Sequence, residues 1–262
     1  MKAVLSIAGS DPSGGAGIQA DLKTIAAHQL FGETVITALT AQNTQKVYEV
    51  EDVCPEFVAA QIDAVFDDIY PSAIKIGMVS SAAIIEIIAD RLRYWGAKNI
   101  VVDPVMVATS GGKLIGDQAV DALVEQLLPL ADISTPNLFE AEVLCGRKLI
   151  TENDMASAAM ELAAQTKHAA LVKGGHIGEA ANDVLVQGKQ TAWLQEERIS
   201  IGCTHGTGCT LSSAIACNLA LGFDMQTSVQ KAKSYVTGAL RNGLSIGRGS
   251  IVLDHMWQYR EN

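Results

Sequence analysis

The sequence has 262 residues, of which 48% are apolar, so it can bury a substantial core in one large α/β domain or two small ones. The formal net charge of −10 argues against nucleic acid or an anionic membrane as the main partner. No apolar run is long enough to cross a bilayer. The five cysteines are scattered and lack metal-ligand spacing, which favours reduced thiols in a cytoplasmic protein over a disulfide framework.

Short β-type segments alternate with longer amphipathic segments along most of the chain. The first apolar stretch is too short for a signal sequence and is typical of a strand. We predict buried strands at Val4–Ile7, Val35–Leu39, Ala73–Ile76, Ile100–Val102, Ile133–Thr135 and Ala170–Val172. We predict helices at Pro55–Ile69, Ala82–Tyr94, Gln118–Leu128, Thr210–Leu221 and Gln226–Leu240, with a hairpin within Asp183–Ile199. The alternation implies a mainly parallel sheet, and because no linker or repeat interrupts it we expect a single domain over residues 1–262.

Polar segments follow each predicted strand at the end where ligands bind in open α/β sheets. They are Gly9–Asp21, Ala41–Thr44, Gly77–Met78, Asp103–Met106, Pro136–Glu140 and Lys173–His176. Because these strand ends meet at one edge of a parallel sheet, their regular polarity predicts the rim of an active site.

The segment Cys203–Thr210 predicts an anion-binding site. Its two glycines, Gly206 and Gly208, let successive backbone N–H groups converge just before an apolar helix. The first amides of that helix have no intrahelical partner and lie at its positive end, which suits a phosphate in transfer. A thiol at Cys209 in the first turn is expected to be more acidic than a free one. An ordinary glycine-containing loop before a core helix also explains the segment.

Four further polar residues each admit two explanations. Asp103 ends a buried strand, where an acid is costly unless it is paired or binds a cation. Lys173 can neutralise developing charge on phosphates, or be a solvated strand end. Asn137 and Glu140 share one face of a helix's first turn, so their oxygens suit Mg²⁺, while an N-cap with a reciprocal acid explains the same spacing.

Two longer motifs resemble a known family. The segments Gly9–Thr24 and His205–Ser212 are similar to those of ribokinase-fold vitamin kinases, and most similar to the hydroxymethylpyrimidine (HMP) and HMP-phosphate kinases of thiamine biosynthesis. Three further segments of this chain also resemble the family and lie between them in the expected order: Val35–Leu39, Thr135–Asn137 with Glu140, and Lys173–His176. The resemblance covers essentially the whole chain. It implies a ribokinase-like three-layer α/β/α fold, ATP and Mg²⁺ as cosubstrates, and two successive phosphorylations that convert HMP into its diphosphate. Relatives tend to form dimers, so we also expect a homodimer.

The resemblance places Cys209 at the family's catalytic position, where it would take the proton of the attacking hydroxyl. The backbone amides of Gly206, Thr207, Gly208 and Cys209 would form the anion hole. Alternatively, Cys209 is a small residue that begins the helix, and the anion hole supplies most of the catalysis.

The same resemblance assigns the acceptor substrate to residues near the first strands. Gln42 can pair with the ring nitrogen and exocyclic amine of an aminopyrimidine, or be a loop amide. Asp21 matches a pocket aspartate, although an Asp after a glycine-rich turn is more often a cap or surface residue. Gly9, Ala16, Met78 and Val105 match the surrounding pocket, and Met78 is equally credible as core.

On the nucleotide side, the resemblance assigns Lys173, Asn137 and Lys233 to ATP, and Glu140 and Asp103 to Mg²⁺. A solvated helix face also explains Lys233. We predict that Ser110–Leu114 is a mobile loop over the phosphates, and that His176 and His205 are parts of the motif scaffold. Many members end in a Gly/His-rich segment, so the departure at Gly247–Trp257 puts the nucleotide-side wall in doubt.

Two alternatives to an HMP kinase stay open. A pyridoxine or pyridoxal kinase can use the same scaffold, but related pyridoxal-type kinases tend to have an apolar residue where this chain has Gln42. A catalytically silent binding protein for a pyrimidine or nucleotide is the other. Against it stand side chains of the types that a working kinase needs at Asp103, Glu140, Lys173 and Cys209.

Overall fold

A large, mostly parallel sheet forms the centre of the protein. The computed structural model describes residues 1–106, 115–174, 182–195, 199 and 204–260. The strands of the sheet are β1 (Ala3–Ser10), β2 (Phe31–Gln42), β3 (Val47–Asp52), β4 (Ala73–Ile76), β5 (Ile100–Val102), β6 (Ile133–Ser134), β7 (Ala169–Val172), β8 (Asp183–Gln187) and β9 (Gln190–Leu194). Their order is β3-β2-β1-β4-β5-β6-β7-β8-β9. The strands from β2 to β7 in that order run parallel, whereas β3, β8 and β9 pair antiparallel at the two edges.

Helices cover both faces of the sheet. They are α1 (Gly17–Ala27), α2 (Pro55–Asp68), α3 (Ala82–Tyr94), α4 (Asp117–Ala122), α5 (Leu138–Cys145), α6 (Glu152–Gln165), α7 (Thr207–Leu221) and α8 (Met225–Arg241). A π-helical turn at Leu123–Leu127 continues α4, and 3₁₀ turns lie at Leu128–Leu130 and Trp257–Tyr259. A second, two-stranded parallel sheet joins β10 (Thr204–His205) to β11 (Ile251–Val252).

Alternate residues of the buried strands point to opposite helical layers. Ile7 and Ile76 pack with residues of α2, α3 and α4, whereas Val4 and Val101 pack with residues of α7 and α8. A third cluster packs α5 and α6 against β7 and β8. Such strands are apolar on both faces because both faces are covered. The expected three-layer α/β/α fold with a mostly parallel sheet is confirmed.

Several predicted elements match closely, and the differences have local causes. Strands β4 and β5 and helix α3 have the predicted bounds, and the predicted hairpin forms β8 and β9. Helix α7 begins at Thr207 rather than Thr210, because Gly206 at its N-cap adopts a left-handed conformation with φ of 86°. The predicted helix Gln118–Leu128 is instead α4 followed by a π-helical turn. Among the described residues, no helix has the length and apolar character that a bilayer crossing requires.

Candidate active site

The start of α7 packs tightly against the glycine-rich loop that follows β1. At Gly206, a Cβ atom would overlap the carbonyl oxygen of Gly15, and the positive φ also favours glycine. A Cβ atom at Gly17 would likewise collide with the carbonyl oxygen of Gly9. These glycines therefore let the two polypeptide segments touch, which brings the loop after β1 to the N-terminus of α7.

The N-terminus of α7 faces two charged side chains. A Cβ atom added to Gly208 would lie 3.3 Å from Nζ of Lys173 and 3.4 Å from Oδ2 of Asp103. Among the described residues, no side chain caps this helix, and its first amides have no intrahelical partner. The partial positive charge of the helix end and the ammonium of Lys173 thus lie together at the predicted anion site.

Lys173 and Asp103 form an ion pair at the ends of β7 and β5. Lys173 Nζ lies 3.0 Å from Asp103 Oδ1, and the Thr135 hydroxyl donates to the same oxygen over 3.1 Å. Burial alone would lower the pKa of Lys173, but the carboxylates of Asp103 and Glu140 outweigh it and raise that pKa. Lys173 is therefore a cation at neutral pH, and the interpretation as a solvated strand end is wrong because the side chain is only 16% exposed.

Asn137 and Glu140 form a capping box at the start of α5. Asn137 Oδ1 accepts from the Glu140 amide over 2.9 Å, and Glu140 Oε2 accepts from the Asn137 amide over 2.7 Å. Burial raises the pKa of Glu140 to about 7, while Lys173 lowers it and Asp103 raises it. The capping interpretation is confirmed; nucleotide binding by Asn137 and metal binding by Glu140 stay predictions.

Asp103 and Glu140, the two residues predicted to hold Mg²⁺, carry carboxylates of the kind that this ion binds. The negative charge of Asp103 raises the pKa of Glu140, so a cation between them would relieve a repulsion that the fold holds in place. Within the described ranges, no group of three or more His, Cys, Asp or Glu side chains is arranged to hold a metal. Mg²⁺ in phosphoryl-transfer sites commonly uses one or two carboxylates plus phosphates and water, so these two residues fit.

Cys209 lies in the first turn of α7, as predicted, but its thiol is not acidic. Burial raises the pKa of the thiol to about 11, and the lowering effects of Lys75 and of the Gly17 backbone N–H do not compensate. The prediction of an unusually acidic thiol is therefore wrong, because desolvation outweighs the field of the helix end. Cys209 is a neutral thiol at physiological pH.

A buried ion pair lies beside this helix. Asp21 accepts from Lys75 Nζ over 2.9 and 2.8 Å at its two oxygens, and also from the hydroxyls of Ser6 and Ser213. Both charged side chains are 0% exposed. The cap or surface interpretation of Asp21 is wrong, and its contact with a substrate stays a prediction. Lys75 was not among the predicted site residues, although a lysine inside the apolar strand Ala73–Ile76 indicates a buried partner.

The predicted acceptor pocket has its walls at the ends of β1, β4 and β5. A Cβ atom at Gly9 would lie 3.3 Å from the sulfur of Met78, and Met78 and Val105 are both partly exposed. Met78 therefore contacts Gly9 and is not part of a core cluster, while its place in the wall of an acceptor pocket stays a prediction. The Ala16 amide donates to Asp11 Oδ2 over 2.8 Å, which fixes the loop on the opposite side.

Gln42 reaches this region from the end of β2 and contacts His205. Gln42 Nε2 lies 3.0 Å from Nε2 of His205, and the same ring atom lies 2.8 Å from Oδ2 of Asp11. Gln42 is the last residue of β2, so its interpretation as a loop amide is wrong, and its contact with a substrate stays a prediction. Asp11 was not among the predicted site residues, and His205 was predicted only as scaffold.

Comparisons with known proteins agree on a family. A family model described as phosphomethylpyrimidine kinase matches residues 11–254. Hydroxymethylpyrimidine/phosphomethylpyrimidine kinase of Rhizobium meliloti is 51% identical over 259 residues, which cover 97% of each chain. This chain belongs to the phosphomethylpyrimidine kinase family. A thiamine biosynthesis bifunctional protein of Geobacter sulfurreducens is 46% identical over 97% of this chain and 52% of its own length. Pyridoxal kinase of Staphylococcus aureus in complex with AMP-PCP and pyridoxal has a TM-score of 0.91 at 32% identity, and the match covers 99% of this chain and 95% of that chain.

Membership of this kinase family confirms the resemblance seen in the motifs and identifies the protein as a phosphotransferase. The AMP-PCP of the Staphylococcus aureus complex is an ATP analogue. The pyridoxal kinase similarity shows that the same fold serves more than one acceptor.

Lys233 lies on α8, and within the described residues its hydrogen-bond partners are not among the other predicted site residues. Its Nζ donates to Asp183 Oδ2 over 2.8 Å and to the carbonyl oxygen of Leu194 over 2.9 Å. The side chain is buried, so the interpretation as a solvated helix face is wrong. The geometry joins α8 to the β8–β9 hairpin; a contact between Lys233 and the nucleotide stays a prediction.

Three predictions lie outside the described residues: the loop Ser110–Leu114, His176 and Cys203. The C-terminal segment of the kinase is described, and it lies near Gln42. The Ser250 amide donates to the carbonyl oxygen of Thr44 over 2.8 Å, and a Cβ atom at Gly247 or Gly249 would collide with Thr44. These residues therefore pack on the turn between β2 and β3, and their relation to the nucleotide-side wall stays a prediction.

Proposed function

We propose that the protein transfers the γ-phosphoryl group of ATP to HMP and then to HMP phosphate, which yields HMP diphosphate for thiamine biosynthesis. One observation carries this proposal: Lys173 and Asp103 converge at the N-terminus of α7, and Gln42 contacts His205, two residues before that helix begins. An anion site and an amide that reads a heterocycle are what a kinase for an aminopyrimidine alcohol requires.

The chain's own groups supply most of the stabilisation of charge. During phosphoryl transfer, negative charge spreads over the oxygens of the migrating group. Backbone amides of Gly206 to Cys209 and the ammonium of Lys173 are held in place before the reaction, so they need not reorganise as charge develops. The ion pair with Asp103 fixes the position of Lys173.

Mg²⁺ would be held by Asp103 and Glu140. When bound, it neutralises charge on the ATP phosphates and orients them. The Glu140 carboxyl, with a pKa of about 7, is partly protonated near neutral pH, and a nearby cation favours its charged form.

We propose that Cys209 contacts the attacking hydroxymethyl oxygen. In a loose transition state the hydroxyl proton leaves only late and can pass to an oxygen of the transferred phosphoryl group, so a neutral thiol at this position is compatible with catalysis. The thiol then positions the hydroxyl by hydrogen bonding, while the helix amides stabilise the phosphoryl group. This role replaces the resting thiolate base that the sequence predicts.

Gln42 favours HMP over pyridoxal as the acceptor. Its amide can both donate to a ring nitrogen and accept from an exocyclic amine, which HMP offers side by side. A pyridoxal kinase activity is the second candidate, and the similarity to the Staphylococcus aureus pyridoxal kinase complex is the observation that favours it.

We further propose a single kinase domain over residues 1–262, a cytoplasmic location and a homodimer. One sheet contains strands from Ala3 to Leu194, which supports the single domain. The free thiols of Cys54, Cys145, Cys209 and Cys217 suit a reducing compartment. The exposed edge strand β3 and the apolar side chains of Leu39, Tyr48 and Val50 offer a surface for a second copy.

The proposal is tested by incubating the purified protein with Mg-ATP and HMP, pyridoxal or no acceptor, and following ADP and phosphorylated products by mass. We expect HMP monophosphate followed by HMP diphosphate. Pyridoxal phosphate alone would overturn the assignment of the acceptor. ATP binding without any product from either acceptor would instead indicate a silent binding protein. Light scattering of the same sample gives the oligomeric state.

A further inference from the structure

We propose that His205 is a positioning residue for Gln42. Its ring fixes whether the oxygen or the nitrogen of the Gln42 amide faces it, and this orientation determines specificity for an amino-substituted pyrimidine. This inference rests on the proposed function. It extends that function from Gln42 alone to the chain Asp11–His205–Gln42, whose members lie far apart in the sequence.

The ring of His205 has little freedom to move. His205 is paired with Val252 in the small parallel sheet and is only 8% exposed. A Cβ atom at Gly15 would lie 2.5 Å from Cδ2 of the ring, so the ring packs directly on the backbone of the glycine-rich loop. Because the His205 ring is fixed, it can in turn fix the amide of Gln42.

Asp11 determines that Nε2 of the His205 ring, the atom that Gln42 contacts, is protonated. Three donors fix its carboxylate: the Ser13 amide at 2.9 Å, the Ser13 hydroxyl at 2.7 Å and the Ala16 amide at 2.8 Å. Burial raises its pKa, but hydrogen bonds from His205, Ser13 and Ala16 outweigh burial and lower it to about 2. An ionised carboxylate only accepts, so Nε2 of His205, 2.8 Å from Oδ2, carries a hydrogen.

The orientation of the Gln42 amide follows from that hydrogen. A ring N–H cannot accept from the amide nitrogen of Gln42, which lies 3.0 Å away. A half-turn of the amide puts Oε1 there, where it shares the single Nε2 hydrogen with Asp11 Oδ2 in a three-centre bond. The other end of the amide lies 3.5 Å from Oγ1 of Thr40, whose hydrogen is donated to the carbonyl oxygen of Ser10. Oγ1 of Thr40 can then accept a hydrogen bond from Nε2 of Gln42 after the amide has turned. Both ends of the amide find complementary partners in this orientation only.

The oriented amide presents a defined pair of groups to the pocket. The second lone pair of Oε1 accepts and the second N–H of Nε2 donates, as in the pairing of glutamine with adenine. A 4-aminopyrimidine offers the matching amine and ring nitrogen. A 4-oxo analogue presents an acceptor in place of the amine and leaves Oε1 facing a second oxygen.

Steady-state kinetics with HMP, its 4-oxo analogue and ATP test this inference on the full chain. We expect His205→Leu to raise KM for HMP about tenfold, the equivalent of one lost hydrogen bond, with KM for ATP unchanged. His205→Gln places an amide N–H near the former Nε2 and should restore most of the discrimination between HMP and the oxo analogue. His28→Leu is the matched control, since His28 bonds to the Thr24 carbonyl oxygen and packs on Tyr235.

A double-mutant cycle distinguishes positioning from a general structural role. If His205 acts through Gln42, then His205→Leu changes KM for HMP less than about threefold in a Gln42→Met background. Equal losses in both backgrounds, or a parallel rise in KM for ATP, would overturn the inference. In the wild-type protein, long-range ¹⁵N–¹H NMR spectra should show a hydrogen on Nε2 of His205; a bare Nε2 would also overturn it.

The same experiments separate this inference from the proposed function. Wild-type protein that phosphorylates HMP, together with a His205→Leu variant that discriminates normally, refutes the positioning role alone. Wild-type protein that phosphorylates only pyridoxal refutes the acceptor assignment, and the positioning role for HMP with it.

Discussion

Replacing Lys75 by methionine should destabilise the protein strongly. The substitution removes the ammonium that donates to both oxygens of Asp21 and leaves that carboxylate with the hydroxyls of Ser6 and Ser213. Because both charged side chains are 0% exposed, water does not replace the lost partner. Removing one member of a buried pair costs about 3–5 kcal/mol of unfolding free energy. For a chain of this size, we expect Tm to fall by about 10 °C.

Urea unfolding and calorimetry measure this loss, and two further variants show its cause. In the double variant Lys75→Met/Asp21→Leu, neither charge of this pair is present, so no unpaired carboxylate is left buried at this position and most of the lost stability should return. Arg147→Met breaks the exposed pair with Glu161 and should change unfolding free energy by less than about 1 kcal/mol. A Lys75→Met protein within about 1 kcal/mol of the wild type would refute the reasoning, as would a double variant that is no more stable than the single one.

Three other substitutions test the site and the core. Cys209→Ala should lower kcat about tenfold, the equivalent of one lost hydrogen bond to the attacking hydroxyl; a loss under about twofold, measured with saturating HMP and ATP, would leave the anion hole as the main source of catalysis. Gln42→Met should weaken HMP binding far more than ATP binding in calorimetric titrations, and equal effects would contradict its role. Burial, with a contribution from Asp68, raises the pKa of Glu33 to about 7, so the folded state holds a proton that the unfolded chain releases near its ordinary value of 4.5. Stability therefore falls as pH rises from about 4.5 through 7, and Glu33→Gln should match the wild type near pH 5 but have a higher Tm near pH 8. An equal Tm for both proteins near pH 8 would show that Glu33 is not the titrating group.

The parts of the fold that the sequence predicted are those with strong local patterns. Helix α3 has its predicted bounds because apolar residues recur at helical spacing and Ser81 caps the first turn. Strand β3 was missed because nearly all of Val47–Asp52 is exposed, so it lacks the apolar pattern of a buried strand and depends on pairing with β2. Local pattern carries no information about that partner.

The electrostatics of the site depend on contacts that no local pattern contains. Asp21 and Lys75 are separated by 54 positions, and Asp11 and His205 by 194. The sequence indicated a helix end that acidifies Cys209, but it could not weigh that field against burial, which raises the pKa of the thiol to about 11. Desolvation is set by the atoms that the fold packs around a group, and these come from several strands and loops.

The two explanations of Asn137 and Glu140 are compatible once the fold is known. The cap uses one carboxylate oxygen of Glu140, Oε2, and holds the side chain at the start of α5. That fixed position keeps the carboxyl close enough to Lys173 and Asp103 for both to shift its pKa. A residue with a freely rotating side chain would turn away from Asp103 to escape the repulsion, whereas the capping bonds prevent this. The capping box therefore holds Glu140 rigidly, as a magnesium ligand would require, and the predicted metal role does not conflict with the cap.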